Sequence, residues 1–232
     1  MHAFPLNRRM FAPIDGVRLV TFDAPGAGES PVPKAGITID ALADVAAALL
    51  DTLGLEKAVV GGVSMGGYAA LRFAARYPQR LLGLVLANTR AAADTEEARK
   101  ARYDMIEAAR REGSAEIARR MLPRLLGETT RRENPPLVEQ VRRLIETSPP
   151  AGIAALLQAL AARPDSTPVL ASIAAPTLVV AGEEDVITPL DETHRWAARI
   201  HGASMTVIPR AGHLACLEQP EQFRRAVTAF VT

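Results

Sequence analysis

The sequence predicts a doubly wound α/β domain, and three observations lead there. Short apolar runs recur along the 232 residues, most of them apolar on both faces, as parallel strands covered by helices are. Segments with helical periodicity lie between these runs, and strand–helix alternation is the signature of helices packed on a parallel sheet. A serine flanked by glycines stands where one run meets a helix, and open parallel sheets collect their sites at such strand ends.

Composition narrows the function classes. The chain is 48% hydrophobic and 23% charged, which is globular rather than disordered. Its length argues for one domain. A net charge of +1 gives no electrostatic case for nucleic acid or an acidic membrane surface. The single cysteine, Cys216, excludes an intrachain disulfide and a multi-cysteine metal site, and it reads as a small packing residue. No apolar run approaches ~18–20 residues, and MHAFPLNRRM has no secretory h-region. These features predict a soluble, cytoplasmic protein; they leave its oligomeric state open.

Five runs are strand candidates: Val17–Ala24, Ala58–Val63, Leu81–Asn88, Thr177–Ala181 and Met205–Pro209. Helical spacing marks Ile39–Leu53, with Asp40 near its start and Gly54 just past its end. Met65–Tyr77 follows the second run directly, and Glu192–Ile200 and Gln219–Phe230 close the chain. Between residues 90 and 172 there is no strand candidate. Helical stretches near Thr95–Arg111, Ser114–Leu126, Pro136–Glu146 and Gly152–Ala162 fill that interval, punctuated by Gly113, Gly127 and two Pro-Pro pairs. Their basic and acidic residues nearly balance, so salt-laced helix surfaces explain the many arginines better than an acidic substrate does. The expected organisation is a core made of residues 1–89 and 173–232, with residues 90–172 inserted as a helical cap over a site.

Gly62-Val63-Ser64-Met65-Gly66 carries the chemistry. A serine at a sharp strand-to-helix turn is crowded, so glycine is wanted two residues before it and two after. The turn lifts the hydroxyl off the sheet, and the helix behind it offers its positive end to developing negative charge. No Gly-Lys-Ser/Thr element supports the competing phosphate-loop reading. Such a serine needs a base, and the chain offers His2, His194, His201 and His213. His213 is the candidate, in the loop between the last strand run and the last helix, whereas His194 and His201 fall in or beside a helix. The carboxylate that orients the base is expected in Glu183-Glu184-Asp185, after the fourth run. Asp185 is preferred because residues 186–189 close a turn that can hold it, with Glu183 or Glu184 as fallback. The order Ser64…Asp185…His213 differs from the chymotrypsin and subtilisin orders.

These residues resemble the α/β-hydrolase superfamily along essentially the whole chain. Phe22-Asp23-Ala24-Pro25-Gly26-Ala27-Gly28-Glu29-Ser30 is similar to its D-x-P-G-x-G-x-S loop, and the stretch from Gly212-His213-Leu214 to Glu218-Gln219-Pro220 is similar to its G-H-x-x-x-x-E-x-P ending. His2-Ala3-Phe4-Pro5 resembles the H-G-F-P oxyanion turn, with Ala3 where glycine is usual. The stretch Ala87–Thr95 at the cap entrance resembles that of small bacterial esterases and the 3-oxoadipate enol-lactonase-like group.

The resemblance implies an α/β-hydrolase fold with the helical cap inserted after the sixth strand. It also implies an oxyanion hole built from the backbone N–H groups of Phe4 and Met65. The function implied is hydrolysis of a small carboxylic ester or lactone through an acyl-enzyme, with no metal or organic cofactor. Cofactor-free haloperoxidase or perhydrolase relatives share the same triad. A non-catalytic binding protein on the same scaffold is the alternative from another class. In the family a strand directly precedes the H-G turn, with two more before it, whereas here the turn begins at residue 2. The resemblance thus predicts a gap between the runs Val17–Ala24 and Ala58–Val63. It also predicts an intact protein that begins some 20–25 residues earlier.

Overall fold

A computed structural model describes all residues, 1–232. Four strands form one parallel sheet: β1 (Ala58–Val63), β2 (Leu81–Ala87), β3 (Thr177–Gly182) and β4 (Ser204–Ile208), in the spatial order β1-β2-β3-β4. Parallel neighbours need crossovers, and helices supply them. Helix α1 (Ile39–Thr52) precedes the sheet, and α2 (Met65–Arg76) links β1 to β2.

Five helices join β2 to β3: α3 (Glu96–Glu112), α4 (Ser114–Leu125), α5 (Glu128–Glu133), α6 (Pro135–Glu146) and α7 (Pro150–Ala161). Then α8 (Leu190–Ala197) connects β3 to β4, and α9 (Ala215–Glu218) and α10 (Pro220–Val231) end the chain. No helix is long and apolar enough to cross a membrane.

The period of two along the central strands sorts side chains into two apolar layers. Leu84 and Leu86 of β2 and Val179 of β3 face a layer that contains Leu50, Phe73 and Trp196. Val85, Leu178 and Val180 face the other, with Phe223 and Val227 of α10. Each such side chain, once buried, contributes about 1.5–3 kcal/mol. That is why these runs are apolar on both faces.

Local signals place the helix ends. Thr38 caps α1, its hydroxyl accepting from the Ala41 amide at 3.0 Å, and Asp40 stands in the first turn as expected. Thr95 caps α3 in the same way, with Glu96 and Glu97 in the first turn and Arg110 and Arg111 in the last, as the helix dipole favours.

One strand expectation fails. Val17–Ala24 joins no ladder, and Leu19 and Val20 are 42% exposed. Apolar character makes a segment fit for a sheet, but a strand also needs a neighbour to pair with. Here an open groove separates this segment from β1.

The helical excursion between β2 and β3 packs closely onto the core. Gly152 of α7 lies so close to Gly26 that a Cβ there would strike the Gly26 carbonyl. Gly127 and Gly212 approach each other equally closely. The Ser148 hydroxyl donates to the Pro5 carbonyl at 3.1 Å. A buried ion pair, Arg163 to Asp94 at 2.6 Å, holds the far end, with the guanidinium 4.3 Å over the ring of Tyr68.

Candidate active site

The turn from β1 into α2 shows why the sequence spends three glycines there. A Cβ on Gly62 would collide with the backbone of Gly66, one on Gly66 with Met1, and one on Gly67 with Thr89. Ser64 itself sits at φ 54°, ψ −111°, a strained backbone that a sharp turn imposes. Around it, the Ser64 amide donates to the Ala87 carbonyl at 2.9 Å, and the Thr89 hydroxyl donates to the Ser64 carbonyl at 2.8 Å. The strain is therefore held by bonds to the last residue of β2 and to Thr89 just beyond it.

Three predicted side chains meet. Ser64 Oγ lies 2.7 Å from Nε2 of His213, and Nδ1 of His213 lies 2.8 Å from Oδ2 of Asp185. All three residues are buried, with Ser64 8% exposed. The other candidates fall away. His194 and His201 are exposed. Glu184 accepts from the amide and hydroxyl of Thr129, and Glu183 accepts from the Arg210 amide at 3.1 Å.

His2 is buried as a neutral ring: Nε2 accepts from the Ala24 amide at 2.9 Å, which leaves Nδ1 to donate to the Ala3 carbonyl at 3.0 Å. Burial, the largest influence, pushes it down to about 4.

Asp185 is held by a turn of its own making. Its Oδ1 accepts from the amides of Ile187 and Thr188 at 2.8 and 3.0 Å, and its Oδ2 accepts from the Thr188 hydroxyl at 2.5 Å. Burial alone would raise this carboxyl. The charge of His213 and hydrogen bonds from His213, Thr188 and Asn88 outweigh it and bring the carboxyl down to about 2. Asp185 is thus an anion throughout the neutral range.

The oxyanion candidates are placed by backbone. Met65 is the first residue of α2, where amides have no intrahelical acceptor. The Met1 backbone packs against Gly66, and the Val63 amide donates to the Met1 carbonyl at 3.1 Å. That bond brings the His2–Pro5 turn alongside the serine, and no hydrogen bond within the turn uses the Phe4 amide.

Two residues that the sequence reading names only within motifs prove to hold the site together. Asn88, at φ 46°, donates to Oδ2 of Asp185 at 2.9 Å and to the Gly212 carbonyl at 3.1 Å, so one amide ties the acid to the histidine loop. Its signal was available: asparagine tolerates the left-handed region, and it stands one residue past a buried strand.

The other is Glu218. Its carboxylate accepts from the amides of Gly212 and Leu214, which flank His213, at 2.9 and 3.0 Å, and from Gly127 of the helical excursion at 2.8 Å. Burial raises its carboxyl, opposed by those amides. In the Phe22–Ser30 loop, Asp23 accepts from the amides of Arg8 and Glu29 and pairs with the Arg8 guanidinium. Gly28 is required there because a Cβ would collide with the Asp23 carboxylate.

The family described as alpha/beta hydrolase fold matches residues 1–220. Among curated proteins, a 3-oxoadipate enol-lactonase of Acinetobacter baylyi is 32% identical over 214 residues, covering 92% of this chain and 78% of that enzyme. Among solved structures, a thermophilic esterase from Thermogutta terrifontis superposes with a TM-score of 0.95 at 42% identity, covering 99% of this chain and 87% of that one. The enol-lactonase from Burkholderia xenovorans LB400 superposes at 0.89 with 28% identity, covering 99% and 88%. A parallel sheet flanked by helices, a serine at the strand–helix elbow and a family match over nearly its full length give one conclusion: the chain belongs to the α/β hydrolase fold family.

Proposed function

We propose that this protein is a serine hydrolase of small carboxylic esters or lactones. One observation carries the reading: the buried hydrogen-bonded line from Ser64 through His213 to Asp185. In the reaction, Nε2 of His213 takes the proton of Ser64 as Oγ bonds to the acyl carbon. The carbonyl electron pair moves onto oxygen, where the Phe4 and Met65 amides stabilise it. The carbon–oxygen bond to the leaving group then breaks, and His213 returns the proton to the departing oxygen. Water, deprotonated by His213, attacks the acyl-enzyme and releases the acid. Asp185 keeps Nδ1 protonated, so that Nε2 faces the serine as an acceptor, and it stabilises the imidazolium. Similarity to esterases and enol-lactonases supports the substrate class.

A fluorophosphonate probe tests the nucleophile. The expected result is stoichiometric labelling of Ser64 in folded protein, together with turnover in a panel of short esters, lactones and an enol-lactone. Folded protein that takes up no label and hydrolyses none of the panel belongs to the binding-protein class instead.

Residues 90–172 act in this reading as a lid, supported by their contacts with Pro5, Gly26 and Gly212 around the serine. Gly152→Val forces α7 off Gly26 and is expected to shift the kcat/KM ratio toward bulkier acyl groups. An unchanged ratio across a chain-length series would argue that these helices do not shape the pocket.

A further inference from the structure

Three segments meet at a point where only backbone fits. Gly182 closes β3 ahead of the Asp185 turn, Gly212 stands just before His213, and Gly127 stands just before α5. A Cβ on Gly182 would strike the Ala211 and Gly212 carbonyls. One on Gly212 would strike the backbone of Gly127, and one on Gly127 the Gly212 amide and the Glu184 carboxylate. None of the three has a positive φ. Close approach, rather than turn conformation, is what requires glycine here.

Two carboxylates bind this junction, and neither belongs to the line of Ser64, His213 and Asp185. Glu184, half-buried, reaches from the acid turn to the start of α5, where it accepts from the Thr129 amide at 2.8 Å and from the Thr129 hydroxyl. Its own amide donates to the Ala211 carbonyl at 2.8 Å, two residues before His213. Glu218 accepts with Oε1 from the Gly212 and Leu214 amides and with Oε2 from the Gly127 amide. The Gly127 and Thr129 amides are among those that a helix start leaves without an internal acceptor. One short piece of the helical block is thereby bonded to the acid turn by one carboxylate and to the histidine loop by the other. The bond from Nδ1 of His213 to Oδ2 of Asp185 joins loops that follow different strands, and hydrogen bonds weaken steeply with misalignment.

We propose that the Gly127–Thr129 segment is a positioning element for the His213–Asp185 pair, acting through Glu184 and Glu218 as positioning residues. The assignment rests on the serine mechanism proposed above and gives a part in it to residues outside the sheet core. The two glutamates answer the same substitution differently. Glu218 faces backbone amides on both oxygens, and an amide N–H cannot accept, so a glutamine there loses a bond. Glu184 faces one amide and one hydroxyl. A hydroxyl accepts as well as donates, so a glutamine there keeps both bonds.

The test combines steady-state ester hydrolysis with the proton NMR signal of His213 Nδ1–H, whose protection from exchange reports the bond to Asp185. Glu218→Gln and Glu184→Ala are each expected to lower kcat about 10–100-fold, with KM kept within about threefold, and to weaken that signal. Glu184→Gln is expected to recover most of what Glu184→Ala loses. Wild-type kcat and an unchanged signal in folded Glu184→Ala would overturn the proposal, as would equal losses in both Glu184 variants. Should Glu218→Gln fail to fold, the Glu184 pair decides alone. The proton signal needs no turnover. A chain that loses it in Glu184→Ala and keeps it in Glu184→Gln, yet hydrolyses no ester even as wild type, would sink the hydrolase reading and uphold the junction.

Discussion

Ser64→Ala is expected to lower ester turnover by roughly 10⁴–10⁶-fold while changing Tm by no more than about 2 °C. The two halves of that expectation have separate causes. Turnover collapses because the hydroxyl is the atom that bonds to the acyl carbon, and water held in its place lacks the elbow's orientation. Stability stays because the Ser64 side chain caps nothing: the bonds that hold the turn come from its amide and carbonyl. Alanine inherits both, along with the same strained φ.

Asp185→Asn should cost about 10⁴-fold by a different route. An asparagine amide turned toward Nδ1 makes that nitrogen an acceptor, so the proton moves to Nε2 and the ring can no longer accept from the serine. Steady-state hydrolysis with a melting curve for each variant checks both. Retention of near-wild-type turnover by folded Ser64→Ala would remove the serine mechanism.

Stability should climb as pH rises from about 4 to 6.5. One buried base sets this window: burial brings His2 down from 6.5 to about 4. The unfolded chain therefore binds this proton at a higher pH than the folded chain does, and acid favours unfolding. The loss begins below 6.5 and levels off below about 4. At about 1.4 kcal/mol per unit, the shift corresponds to roughly 3–4 kcal/mol.

Asp185, lowered to about 2, adds a second loss with the usual carboxylate sign, confined to the interval from 3.8 down to 2. Glu218 has the opposite sign: its raised carboxyl stabilises at low pH, and that contribution fades as pH rises through its own range. Guanidinium unfolding at pH 4.5, 6 and 8 measures the slope. A profile flat from pH 4.5 to 6.5 would mean that His2 is not held neutral. His2→Gln should remove the part between 4 and 6.5, because glutamine has nothing to titrate.

Much of the site was legible because each part had a local signature. The elbow glycines stand where a Cβ would collide, and Asp185 sits in the one acidic turn followed by Thr188 and Pro189. Chain position alone separated His213 from His194 and His201. What sequence could not carry was pairing. Val17–Ala24 has the same apolar character as β2, yet a ladder is a property of two segments, and this one faces a groove. The long-range bonds of Asn88 and Glu218 were hidden for the same reason: Asn88 reaches Gly212 and Glu218 reaches Gly127, each on a distant element. No window of sequence contains both ends of such a bond.

The carboxylate of Glu218 joins the helical block to the histidine loop through a single side chain. If the block opens for substrate, it does so against that joint. A hinge at the Gly127 end keeps three amides on the carboxylate and leaves His213 undisturbed. An opening that pulls Gly127 away strips a buried anion of one donor and loosens the loop that carries the base. On the proposed lid reading, admission of substrate and placement of the base would be mechanically linked, and the least costly opening would swing the block from its α3–α7 side about the α4–α5 junction.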